Sequence, residues 1–205
     1  MIPMVNLKRE YRKLKAQIDQ ALLEVLEETR FILGPNVTAL EQEVAALHNT
    51  PDAVAVANGT DALRLALQAC GIGRGDEVLT TAFTFIATTE AILDVGAVPV
   101  FVDIEAESFN IDPELIEARI TGRTKAILPV HLFGHPAKMD SIISIARQYN
   151  LLVIEDCAQS FGARYQDQPT GSFGRCGCYS FYPSKNLGCY GDGGMVVTRD
   201  AGTAA

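Results

Sequence analysis

Basic residues are scarce in this chain. Seventeen Lys and Arg face 25 Asp and Glu over 205 residues, a net charge of −8, and no basic cluster interrupts the acidic balance. That excludes the electrostatic footprint of a nucleic-acid or anionic-membrane binder. No stretch of about 18 apolar residues exists, so no transmembrane span is expected. The opening "MIPMVNLKREYRKLK" lacks the apolar middle of a signal peptide. A cytoplasmic protein is the expectation. The five cysteines, Cys70, Cys157, Cys176, Cys178 and Cys189, are odd in number and irregularly spaced. They do not read as a disulfide framework. Cys176-Gly177-Cys178 is not a C-x-x-C, and with no histidine nearby it does not predict a metal site. Internal repeats and low-complexity linkers are missing too. Neither "GDGG" at 191–194 nor "GIGRGD" at 71–76 sits between a strand and a helix as a dinucleotide fingerprint must, which disfavours a Rossmann oxidoreductase.

What is present is an ordinary core-forming composition, 48% hydrophobic and 20% charged. Residues 8–29 carry Leu14, Ile18, Leu22, Leu23 and Leu26 at helical spacing, and "VTALEQEVAAL" predicts a second helix after the break at "GPN". From there β-rich runs at 53–57, 77–80, 98–104, 124–130 and 151–156 alternate with helical stretches at about 60–71, 85–95, 112–120 and 137–149. "CYSF" and "GMVVT" add two later strands. The alternation predicts an α/β fold around a largely parallel sheet. Ligands in such folds lie at the carboxyl ends of strands, which directs attention to "ANGTDAL", "TTAFTF", "IEDCAQSFGA" and "SFYPSK".

Gly59 and Thr60 open a helix after a strand, and free N–H groups there make a phosphate seat; an ordinary helix cap is the plainer alternative. Phe83 and Phe85 stand at a strand-to-helix junction, as stackers on a flat ring or as core aromatics. Glu155 and Asp156 end an apolar strand, one expected to face outward and the other into the crevice, where a buried carboxylate needs a cation or strong donor. Lys185 sits in a nearly uncharged run of aromatic, Pro and Gly residues. There its ammonium form is disfavoured and its amine becomes a nucleophile, unless it simply snorkels from a surface turn. His131 and His135 read as turn or rim residues, with His131 within possible reach of the crevice. A phosphate seat, a stacking aromatic, a buried acid and a nucleophilic lysine together match the needs of pyridoxal phosphate.

"ANGTDAL", "FTFIAT", "GAVPVFVDI", "IEDCAQSFGA" and "SFYPSKNLGCYGDGG" resemble the DegT/DnrJ/EryC1/StrS sugar aminotransferases from about residue 3 to residue 198. The resemblance implies the large domain of a type I pyridoxal-phosphate transferase over residues 1–205. It would have helices on both faces of the sheet, an N-terminal helical segment 1–50, and no C-terminal small domain. It implies Lys185 as the Schiff-base lysine, Asp156 as partner of the pyridine nitrogen, and Gln159 near the 3-hydroxyl. Phe85 would stack, and Gly59, Thr60 and Ser180 would hold the phosphate. Relatives work as homodimers and move an amino group, usually from glutamate, to a nucleotide-linked keto-sugar in polysaccharide or amino-sugar biosynthesis. "PSKNLGCYGDGG" most resembles members acting on UDP-linked 3-keto sugar acids, with dTDP-keto-hexose enzymes close. A dehydratase branch carries histidine in place of the lysine, which Lys185 disfavours. The alternative expectation is a truncated binding or assembly module without turnover.

Overall fold

The computed structural model describes residues 5–204; the first four residues of the expected 1–50 segment lie outside the described residues. Two helices lead the chain, α1 (Leu7–Glu28) and α2 (Pro35–His48). Asn6 starts α1 by accepting the Arg9 N–H, and Thr29 ends it in the left-handed conformation. No residue of α1 is buried, so its leucines form an uncovered ridge.

The body alternates strand and helix: β1 (Asp52–Val56), α3 (Gly59–Ala69), β2 (Glu77–Thr81), α4 (Ala87–Asp94), β3 (Val98–Val102), β4 (Thr124–Ile127), α5 (Met139–Tyr149) and β5 (Leu152–Asp156). A short hairpin follows, β6 (Arg164–Tyr165) with β7 (Gln168–Pro169). Then come β8 (Cys176–Ser180), β9 (Gly194–Thr198) and α6 (Ala201–Ala204). Seven strands form one sheet in the order β1-β9-β8-β5-β4-β2-β3. Six run parallel, and β9 alone opposes both of its neighbours. The largely parallel α/β sheet expected from the sequence is therefore present.

Strand alternation divides the core between two faces. Ile154, Cys176, Cys178 and Val196 point to one face, where α3 and α4 cover them with Ala62, Leu63, Ala66, Leu67, Ala91 and Ile92. Val153, Leu79, Ile127, Tyr179 and Val197 point to the other, under α5 and α2. Each fully buried Leu or Ile contributes about 1.5–3 kcal/mol. Helices on both faces explain why "AILPV" and "LLVIE" are so continuously apolar.

Three expectations change. The segment 112–120 is not an α-helix but two 3₁₀ turns, Pro113–Leu115 and Glu117–Arg119. Asp112 caps Glu114 and only Pro113 and Ile116 are buried, too little apolar face to stabilise a longer helix. β4 stops at Ile127 because Pro129 has no N–H to continue the ladder. β3 stops at Val102, where the Asp103 side chain takes the Ile104 N–H at 2.8 Å.

Candidate active site

The carboxyl ends of β1, β2, β5 and β8 open onto a cleft of about 630 Å³. Gly59, Thr60, Phe85, Asp156, Gln159, Ser180 and Lys185 all line it, so residues up to 126 positions apart (185 minus 59) share one cavity.

The helix start at α3 is built from Asn58, whose side chain accepts the Asp61 N–H at 2.8 Å while its carbonyl takes that of Ala62 at 3.0 Å. Gly59 and Thr60 keep the helix's first N–H groups, without intrahelical partners. The dipole's positive end adds to them. This turn packs tightly: a Cβ on Gly59 would stand 2.5 Å from Ser180 Cβ, so only glycine lets β8 approach. Gly194 does the same from β9, where a Cβ would meet the Asn58 carbonyl at 2.5 Å.

Asp156 ends β5 on the α3–α4 face. Its Oδ2 accepts from Thr88 Oγ1 at 2.8 Å and its Oδ1 from the Ala158 N–H at 3.1 Å. Burial pushes its carboxyl above the usual aspartate range, outweighing both hydrogen bonds and the more distant Lys185 charge. Among the described residues it forms no salt bridge to a cation. Thr88 in turn contacts Thr84 Oγ1 at 2.9 Å. Gln159 accepts the Phe133 N–H at 2.6 Å through Oε1, which leaves its amide NH₂ as the free donor. Phe133 holds that N–H in place at φ +54, a strained value for a residue with a side chain. Phe85 is exposed at 67%, on the rim just before α4. Lys185 is half-buried, in a turn closed by its own N–H on the Tyr182 carbonyl at 2.8 Å.

The sequence pattern of the DegT/DnrJ/EryC1/StrS aminotransferase family matches residues 12–205. The chain belongs to this family. A curated relative, the UDP-N-acetyl-3-dehydro-alpha-D-glucosamine 3-aminotransferase of Acidithiobacillus ferrooxidans, is 54% identical over 200 residues, 98% of this chain and 54% of that protein. DesV of S. venezuelae, solved in complex with a ketimine intermediate, superposes with a TM-score of 0.96 at 46% identity, covering 99% of this chain and 55% of that one. The ntda protein of Bacillus subtilis, solved with bound cofactor PMP, gives 0.94 at 37% identity, covering 99% and 46%. The chain thus spans about half the length of the curated relatives it matches. The fold is the aspartate-aminotransferase-like α/β large domain.

Two expectations about this DegT-family site are corrected. Glu155 does not face outward: helices cover both faces, and its carboxylate is fully buried. It accepts the N–H groups of Gly171 (2.7 Å), Phe173 (2.8 Å) and Gly174 (2.8 Å), and lies 3.0 Å from His131 Nε2. His131 is likewise no rim residue but fully buried. The Ala137 N–H donates to its Nδ1 at 3.0 Å, which assigns the ring proton to Nε2, facing Glu155. Glu155, His131 and Cys157 bring ligand atoms within 4.8 Å of one another. The imidazole and the carboxylate are already committed to these hydrogen bonds, so the trio is a structural knot rather than a metal seat. His135 is exposed, as a rim residue should be. Thr88, which touches Asp156 directly, went unsingled in the sequence; the pair Thr84 and Thr88 at i, i+4 in "TFIATT" is its signal.

Proposed function

We propose that this chain forms the cofactor-holding half of a pyridoxal-phosphate-dependent aminotransferase. It would move an amino group from an amino acid, glutamate first among donors, to a nucleotide-linked keto-sugar. A UDP-linked 3-keto sugar, in particular a sugar acid, is the preferred acceptor and a dTDP-keto-hexose the next. One observation carries the reading: a half-buried lysine, a buried acid without a cationic partner and a free helix N-terminus line the same cleft. The name of the Acidithiobacillus relative supports the UDP-3-keto choice.

The donor set fits the cofactor. Bound there, pyridoxal phosphate supplies an aldehyde that condenses with amines and a protonated ring that withdraws electrons. Gly59 and Thr60 would hold its phosphate through N–H groups and the α3 dipole, with the Ser180 hydroxyl as a further donor. Asp156, starved of a cation, would keep a proton on the ring nitrogen and so recover the cost of its own burial. Phe85 would cover the ring face, and the Gln159 NH₂ would donate to the ring oxygen. Lys185 would hold the aldehyde carbon through its amine, then take up and return the proton at the substrate carbon. The uncovered leucine ridge of α1 supports a homodimer.

The test is direct. Pyridoxal phosphate added to the chain and reduced with borohydride should leave a stable pyridoxyl group on the Lys185 peptide. Lys185→Ala should carry none; an equal adduct on that variant overturns the assignment. Because the chain spans 54% of the Acidithiobacillus relative, a second reading is a module that binds the cofactor without turnover. Amino-group exchange with glutamate by the 205-residue chain would eliminate it.

A further inference from the structure

We propose that Cys70 and Cys176 form a thiol–disulfide site that links α3 to β8 when the chain meets a small oxidised disulfide such as glutathione disulfide. Their sulfurs lie 4.0 Å apart across 106 residues of sequence. Cys70 is the C-cap of α3 and Cys176 the first residue of β8, so each stands at a rigid element's end. Closing to a bond of about 2.05 Å brings the sulfurs about 2 Å nearer. The other thiols are placed elsewhere. Cys178 donates to the Ala62 carbonyl at 3.4 Å, Cys157 is buried on the opposite face, and Cys189 contacts Gly191 in the Lys185 loop.

Accessibility assigns the order of events. Cys70 is half-buried and Cys176 fully buried. The hydrogen bond from Cys176 lowers the Cys70 thiol, with help from Arg175, while the same contact and burial push Cys176 up. Cys70 as thiolate attacks one sulfur of the oxidant, forming a mixed disulfide and expelling one glutathione thiolate. Cys176 then loses its proton and attacks the Cys70 sulfur, expelling the second. Two protein thiols become one disulfide, and one glutathione disulfide becomes two glutathiones. The pair lies at the amino end of β8, about 13 Å along the strand from Ser180, so the bond forms away from the cleft.

Incubation of the 205-residue chain with glutathione disulfide should lower its free thiols from five to three. Peptide mapping should return a Cys70–Cys176 cross-link, and Tm should rise by about 5–10 °C, reversed by dithiothreitol. Cys176→Ser should stop at the mixed disulfide on Cys70, Cys70→Ser should retain all four of its thiols, and Cys178→Ser should cross-link as the parent does. Cross-links involving Cys178 or a second molecule would overturn the proposal. So would unchanged thiols in the parent, or a parent that stops at glutathionylated Cys70.

Discussion

Asp156 shows how a single residue divides stability from function. Its carboxylate has two hydrogen-bond donors but no cation, and burial raises its proton affinity above the unfolded value. The folded chain therefore binds that proton more tightly than the unfolded chain does. The penalty is fully present above the folded pKa and disappears as pH falls through it toward the ordinary aspartate range. Asp156→Asn removes the charge and keeps the geometry. The amide oxygen still accepts from Ala158, and the NH₂ donates to Thr88, whose hydroxyl turns to Thr84. Cofactor-free Asp156→Asn should melt about 2–4 °C above the parent at pH 8, roughly 1 kcal/mol. That gap should close as the pH is lowered. Its affinity for pyridoxal phosphate should drop about 10- to 100-fold, the worth of a hydrogen bond to a charged group. Thermal melts and spectral titration together check this; a variant that melts lower and binds equally well contradicts the assigned role.

Among elements, the connection that matters runs beneath the cleft. Glu155 gathers the turn 171–174, which leads into β8 and on to Lys185, and ties it to His131. The His131 N–H in turn donates to the Asp156 carbonyl at 3.0 Å, and the loop beyond it presents Phe133 to Gln159. Glu155→Gln would turn an NH₂ toward N–H donors that can accept nothing. A loss of about 3 kcal/mol and a Tm lower by about 6–12 °C are expected; a melt within 2 °C of the parent would dismiss Glu155 as the tie. Much of this arrangement was legible in advance, because period and strand ends are local properties. The alternation of runs marked the parallel sheet, and the four strand ends marked the cleft. Glu155 was misjudged because an acid after an apolar strand reads as half solvated, and only the 171–174 turn, with its three backbone donors, makes burial tolerable. His131 was misjudged for the same reason, since its partners come from residues 155 and 137. The 112–120 segment failed because apolar spacing alone does not reveal how few residues the crossover can bury.

At the scale of the molecule, apolar surface stands open at the N-terminal end. Leu14, Leu22, Leu23 and Leu26 on α1 are exposed, and Phe31 and Ile32 just beyond it stand 62% and 87% open. Contiguous apolar patches of this kind mark contact surfaces. If a second copy covers this one, sedimentation at 10–50 μM should find a dimer, and Leu22→Glu with Leu26→Glu should yield a monomer with unchanged far-UV dichroism. A monomeric parent would remove the homodimer from the proposal. The lone reversed strand carries a different consequence, one of timing. Asp52 of β1 pairs with Thr198 of β9, 146 positions later (198 minus 52), and among the described residues β9 is the only strand to which β1 bonds. During synthesis at about 5–20 residues per second, β1 emerges on the order of ten seconds before the strand that completes it. For that interval an apolar edge is without its ladder, the condition under which strands pair with the wrong neighbour. The strand that runs backwards thus closes the sheet over β1, and until it emerges the β1 edge must be sheltered by something other than its ladder.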